Sequence, residues 1–211
     1  NTQLYSVYDH VTVENSEQQI ATRSTVDIYD GILDWSEAQI DARTDFKIAN
    51  FGEGTDYWTM DDFSGEGHCS PTTGTNILWY WGKMNNRSSI MDKVKGFTSD
   101  RTKAVAIFNS LMNHMETSDT GTSRDDIPKG YEGFFGVQPA DGGVWNCKRI
   151  EVGSTFNTYK VNLDDDCPIH VSLRTNAPGT SGGVGHSVMN MGYAFSTSGT
   201  PYLFVMDAWN Y

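Results

Sequence analysis

The chain has 211 residues and a formal charge of −12, from 27 acidic and 15 basic side chains. That balance argues against nucleic acid or an anionic membrane surface as a partner, and no stretch approaches the roughly 20 apolar residues of a membrane span. Hydrophobic residues at 37% and aromatics at 12% exclude a disordered chain and suit one large domain, or a domain with an extension.

The first 30 residues are polar, with short alternating runs at Val11-Thr12-Val13 and Thr25-Val26-Asp27-Ile28-Tyr29 that read as strands. Asp34-Trp35-Ser36-Glu37-Ala38 reads as a short helix capped by Asp34. Residues 50–67 are rich in Gly, Asp and Thr and read as a loop with Tyr57 and Trp58 as its aromatic anchor. A buried helix is predicted from Cys69 to about Lys83, followed by a break at Asn85–Ser88. Thr98–Thr117 is the clearest amphipathic helix, with Ala104, Ile107, Phe108, Leu111, Met112 and Met115 at three- and four-residue spacing and Ser99 or Asp100 as its start signal. A loop with a short helix near Tyr131–Phe135 comes next.

The last third changes character. Lys148–Val152 alternates as a strand, Thr155–Leu163 reads as a helix, and Asp164-Asp165-Asp166 as a solvated acidic turn. Three strands follow, at Pro168–Leu173, His186–Tyr193 and Tyr202–Asp207, the last two joined as a hairpin by a turn at Ser196–Thr200, with Pro168 placing the first near an edge. Helices followed by an antiparallel sheet define an α+β class.

Cys69 is the focus of this pattern. Pro71 suits the first turn of a helix, and a thiol at a helix start meets unpaired N–H groups and the positive dipole end, which favour the nucleophilic thiolate. Gly74 inside that helix signals close packing against another element. His186 follows a glycine run and opens a strand, and Asp207 ends the next one. Carboxylate, imidazole and thiol form the nucleophile, base and orienter pattern. Counting along the hairpin does not bring His186 directly opposite Asp207; a slip or bulge is needed. His68 reads as a packing or rim residue and His114 as structural. His10, His114 and His170 lack zinc spacing, and no metal or other cofactor is implied.

Three cysteines make no disulfide framework; Cys147 and Cys167 either pair or stay as two small buried thiols. The abundance of Gly, Ser, Thr and Asn beside few Lys suits a secreted protein. The chain starts at Asn1 with no signal peptide pattern, as a processed or trimmed product would.

Gly67-His68-Cys69 with its helix, Gly185-His186-Ser187-Val188 on a strand, and Asp207-Ala208-Trp209 at a strand end resemble papain-like cysteine peptidases. Cys69-Ser70-Pro71-Thr72-Thr73 is similar to the Cys-x-Pro-Thr-Ala box of the bacterial streptopain and bacteriocin-leader-peptidase-like groups. The resemblance covers about residues 60–209. It implies a helical half around Cys69, a sheet half carrying His186 and Asp207, and an extended peptide held between them. It also implies Cys69 as nucleophile, His186 as general base and acid, Asp207 as the third residue and Trp209 as an indole shielding the pair from water.

Where the family carries a Gln six residues before the Cys, this chain has Phe63, and Ser64 is the nearby oxyanion donor. Residues 1–45 are expected as an extension or pro-segment remnant and 46–211 as the peptidase domain. The function expected is peptide-bond hydrolysis by a monomeric, secreted or cell-surface bacterial enzyme, its partners a peptide or protein substrate and an inhibitory pro-segment. The alternatives are an amidase or acyltransferase on the same three residues, or a secreted binding domain on a decayed peptidase scaffold.

Overall fold

The computed structural model of the protein describes residues 3–5, 32–34, 40–47, 57–136, 156–174, 185–196 and 201–208. The strands expected at Val11–Val13, Thr25–Tyr29 and Lys148–Val152 lie outside these, as do Cys147, Trp209 and most of the turn before Pro201. The chain divides into two compact units, one of residues 1–51 and 150–207, the other of residues 52–149 and 208–211.

The second unit is helical. Its centre is α1 (Cys69–Trp79), in which every residue from Ser70 to Trp79 is buried. A helix closed to water all round needs apolar neighbours on every side, and α1 continues into a π-helical turn at Tyr80–Met84. The short α2 (Ser88–Met91) follows the break, where Asn86 takes φ +53°. Next is α3 (Asp100–His114), which starts at Ser99 as the sequence requires: the Ser99 hydroxyl accepts from the Thr102 N–H at 3.2 Å. Its stripe of Ala104, Ile107, Phe108 and Leu111 is buried, each large member contributing about 1.5–3 kcal/mol. α4 (Ile127–Phe135) starts with Pro128 in its first turn and ends at Gly136 with φ +68°.

Gly74 is where these helices meet. A Cβ there would lie 2.9 Å from Leu111 Cδ1 on α3 and 3.3 Å from the Tyr131 hydroxyl on α4. The glycine that weakens α1 by propensity thus lets α3 and α4 approach it.

Asn76, fully buried on α1, binds the incoming segment. The Trp58 N–H donates to Asn76 Oδ1 and Asn76 Nδ2 donates to the Trp58 carbonyl, each at 2.8 Å. One side chain thereby answers both main-chain groups of a residue outside any helix or strand. Just downstream, a 3₁₀ turn at Met60–Asp62 is tied to α3 by Arg101, whose guanidinium donates to the Asp62 carboxylate at 2.9 Å and to its carbonyl at 3.0 Å. Partial burial works against the ionised Asp62, but hydrogen bonds from Thr59 and Arg101 outweigh it and hold the carboxyl below its ordinary range.

The first unit is an antiparallel sheet. Its strands are β1 (Gln3–Tyr5), β2 (Ile32–Asp34), β3 (Ile40–Lys47), β4 (Ile169–Arg174), β5 (Gly185–Ser196) and β6 (Pro201–Met206), in the order β2-β1-β6-β5-β3, with β4 also on β5. β5 is its axis. It pairs with β6 along one side, and with β4 and then β3 along the other. Met189 and Asn190, which point to opposite faces, are both fully buried. α5 (Phe156–Asp164) packs on β5 through Phe156, which meets the Tyr193 and Phe195 rings edge-on, and through the Tyr193 hydroxyl, which donates to Asp164 at 2.8 Å.

One expectation changes. Asp34 ends β2, paired opposite Gln3, and residues 35–38 of the helix expected after it lie outside the described residues. The order, however, is not simply helices and then sheet, because strands from the first 47 residues join the C-terminal hairpin on both sides. An open antiparallel edge accepts any strand of matching pattern, whatever its distance in sequence. Mixed helices and an antiparallel sheet remain an α+β architecture.

Two predictions follow from this packing. Asn76→Ala leaves the Trp58 N–H and carbonyl without partners in a buried site, at about 1–3 kcal/mol per group. Urea unfolding of that variant is expected to show a loss of about 2–5 kcal/mol. On β4, His170 has its Nε2 shut off from solvent, and burial drives its pKa from 6.5 down to about 3. A folded-state value below the unfolded one means that the unfolded chain takes up the proton first. This stability is complete above 6.5 and is lost as pH falls toward about 3. The urea midpoint is expected to drop across that window, and less steeply in His170→Gln.

Candidate active site

The segment before α1 is built by two left-handed glycines, Gly65 at φ +122° and Gly67 at φ +63°. At Gly67 the conformation and the space agree. A Cβ there would stand 2.6 Å from the Ser118 carbonyl oxygen, 2.7 Å from the Gly121 nitrogen and 3.0 Å from the Asp119 carbonyl oxygen. Those atoms belong to a tight turn closed by reciprocal main-chain bonds between Ser118 and Gly121. The backbone two residues before Cys69 therefore lies flush against another backbone, which only glycine permits.

His68 takes the N-cap of α1 and is buried. Its Nδ1 lies 3.2 Å from the Thr72 hydroxyl and its ring meets Phe108 edge-on at 5.3 Å. It is the packing residue that its neighbours demand. Cys69 is the first residue of α1, a half-buried free thiol at the positive end of the helix dipole. Phe63 is buried, stacked on Phe108 with centroids 4.1 Å apart, so the position six residues before Cys69 belongs to the core. Ser64 is exposed on the loop that follows.

In the sheet unit the structure brings His186 and Asp207 together. The hairpin register supplies the irregularity that the sequence required: Gly192 pairs with Phe204 but Asn190 with Val205, so Met191 is an extra residue. The buried Asn190 side chain supports this bulge, its Oδ1 accepting from the Gly192 N–H at 3.3 Å. Continued past Met206, the shifted register sets Asp207 opposite Val188 and makes His186 its diagonal neighbour. The imidazole spans that diagonal. His186 Nε2 lies 3.1 Å from the main-chain carbonyl oxygen of Asp207.

A carbonyl has no proton to give, so Nε2 must carry the hydrogen. In the neutral ring this leaves Nδ1 as the atom with an acceptor lone pair. Burial lowers the His186 pKa below 6.5, while the Asp207 charge and carbonyl pull the other way. Burial, the larger effect, therefore favours the neutral ring. The sequence named Cys69, His186 and Asp207, of which the sheet sets His186 and Asp207 side by side; it did not point to the Asp207 carbonyl or the Ser118–Gly121 turn, because main-chain groups carry no residue-type signal. The paired glycines before Cys69 were the available clue to the turn.

Cys167, the other described cysteine, is also a free thiol, its pKa raised by burial and then by Asp165 and Asp166. A thiol kept protonated in this way is a poor nucleophile.

A thiol at the start of a buried helix and an oriented imidazole on a strand are the side-chain types that cysteine peptidases use. Residues 53–211 match the model of the Peptidase_C39 like family, and the chain belongs to that family of cysteine peptidases. No curated protein and no solved structure matches the chain.

Gly67→Ala tests the backbone contact. The added methyl meets three main-chain atoms that cannot rotate away, so the loop before Cys69 must shift. A stability loss of about 1–3 kcal/mol is expected in thermal unfolding, together with slower alkylation of Cys69.

Proposed function

We propose that the protein hydrolyses peptide bonds through Cys69, His186 and Asp207. The observation that carries this reading is the hydrogen bond from His186 Nε2 to Asp207, which leaves Nδ1 as the proton acceptor. Family membership over residues 53–211 and the place of Cys69 at the start of a buried helix support it.

In this mechanism Nδ1 of His186 takes the Cys69 thiol proton and Sγ attacks the carbonyl carbon of the scissile bond. The proton passes from Nδ1 to the departing amine as the C–N bond breaks, leaving a thioester on Cys69. Water, losing a proton to His186, then attacks the thioester and frees the acid and the thiol. The Cys69 N–H and the Ser64 hydroxyl are proposed as donors to the tetrahedral oxyanion, and Trp209 as the cover over the imidazole. The Cys-Ser-Pro-Thr-Thr box places the protein, in this reading, on the streptopain and bacteriocin-leader side of the papain-like peptidases. The buried Phe63 favours one rival, a binding domain on a decayed scaffold, because it removes a side-chain donor that relatives use.

The deciding experiment is the pH profile of iodoacetamide alkylation at Cys69 in the wild type and in His186→Ala. Rapid reaction at about pH 5–6 that falls about 10²–10³-fold in the variant is expected of a thiol activated by imidazole. Slow reaction that rises only above about pH 8 and ignores His186 would sink the peptidase reading.

A further inference from the structure

Asn190 is a buried amide with one end unanswered. It is closed to solvent, and its Oδ1 accepts from the Gly192 N–H at 3.3 Å. Among the described residues its Nδ2 has no hydrogen-bond partner, and no solvent reaches it. The Gly192 N–H can only donate, so the amide cannot be turned over to exchange its ends. A buried donor in this state destabilises the fold unless something accepts from it.

The register puts a carboxylate within its range. Residues 186, 188 and 190 share one face of β5. Asn190 pairs with Val205 and Met189 with Met206, so the continued register sets Asp207 opposite Val188, on that same face. Asp207 is then the diagonal neighbour of His186 on one side and of Asn190 on the other. The planar amide has Nδ2 across Cγ from Oδ1. With Oδ1 turned to Gly192, Nδ2 turns back along β5 toward Val188, the position that faces Asp207.

Diagonal partners stand about 7–8 Å apart. An amide and a carboxylate are too short to close that gap directly. One water, with a hydrogen bond of about 2.8 Å on either side, spans the remainder. Asp207 is itself buried, and an ionised carboxylate accepts at about four positions, so it takes this water beside its other partners. Its charge acts on the His186 ring.

We propose that Asn190 is a positioning residue for the base: its Nδ2 holds one buried water that donates to the carboxylate of Asp207 and fixes it beside His186. One side chain thereby supports the β5–β6 bulge through Oδ1 and anchors the Asp207 carboxylate through Nδ2. This deepens the peptidase reading and rests on it for the role of His186; the bridge itself involves only residues of the sheet.

The test is NMR on the full chain labelled with ¹⁵N-asparagine. Asn190→Asp keeps an oxygen for the Gly192 N–H and lacks Nδ2, so its missing signals assign the Asn190 amide pair. The wild type is expected to show a cross-peak from the Nδ2 protons to a long-lived water. Asp207→Ala, which keeps the main-chain carbonyl, is expected to shift the pair and weaken that cross-peak. A pair without water contact overturns the bridge. A pair unchanged in Asp207→Ala overturns the link to the carboxylate, and is what an Asn190 acting only at the bulge would give.

Asn190→Leu, of similar volume, keeps neither end. In the folded variant, Cys69 alkylation near pH 6 is expected to slow about tenfold. Adding Asn190→Leu to Asp207→Ala is expected to slow it little further, because both act through one carboxylate. Losses that multiply would refute that shared path. Should Asn190→Leu fail to fold by circular dichroism, the wild-type and Asp207→Ala spectra still decide. Failure of the peptidase reading looks different: the bridge is seen, yet Cys69 alkylation ignores His186→Ala.

Discussion

A buried amide with both of its ends answered governs the helical unit. Asn76 is closed to solvent, and a primary amide in that setting destabilises the fold unless its donor and acceptor are both used. It spends them on the main chain of Trp58, a residue without a helical or strand ladder of its own. The segment so fixed packs Trp58 edge-on against Trp79 at 5.5 Å and leads into the Met60–Asp62 turn. That turn offers the Met60 N–H to Ala208, the residue after Asp207. The segment before Cys69 is therefore held at Trp58 by the Asn76 side chain and at Met60 by a main-chain bond to Ala208.

The sheet works by a comparable economy. β5 gives one edge to β6 and shares the other between β4 and β3. A strand paired on both edges has little freedom to slip, because a one-residue slip would turn every buried side chain to the wrong face. The bulge at Met191 shifts the β5–β6 register by one residue, where the Asn190 side chain supports the disruption. Upstream of it, the shifted register sets His186 on the diagonal to Asp207. The bulge is thus a structural feature with a direct consequence for the imidazole.

Two imidazoles on neighbouring strands show how partners decide the role of a titratable group. Burial lowers the pKa of both His170 and His186. For His170 burial is the only cause of the shift, so it acts as a neutral structural ring whose protonation costs stability. For His186 the Asp207 carboxylate and carbonyl oppose the effect of burial, so its protonated form is disfavoured less one-sidedly than that of His170.

Much of this was legible in the sequence. The 3.6-residue period and the Ser99 cap defined α3, Pro71 and the apolar run defined α1, and alternation defined β4, β5 and β6. Gly74 announced a close approach between helices, and the order of Cys69, His186 and Asp207 announced a peptidase-like set. These signals are local, arising from periodicity, caps and residue chemistry within a few positions. Tertiary structure decided what depends on distant pairing and on the main chain. It recruited strands from the first 47 residues into the C-terminal sheet and placed the bulge at Met191. It also set the Asp207 carbonyl beside the His186 ring. Every residue but proline carries the same N–H and every residue the same C=O, so only the folded chain can say which of them meet.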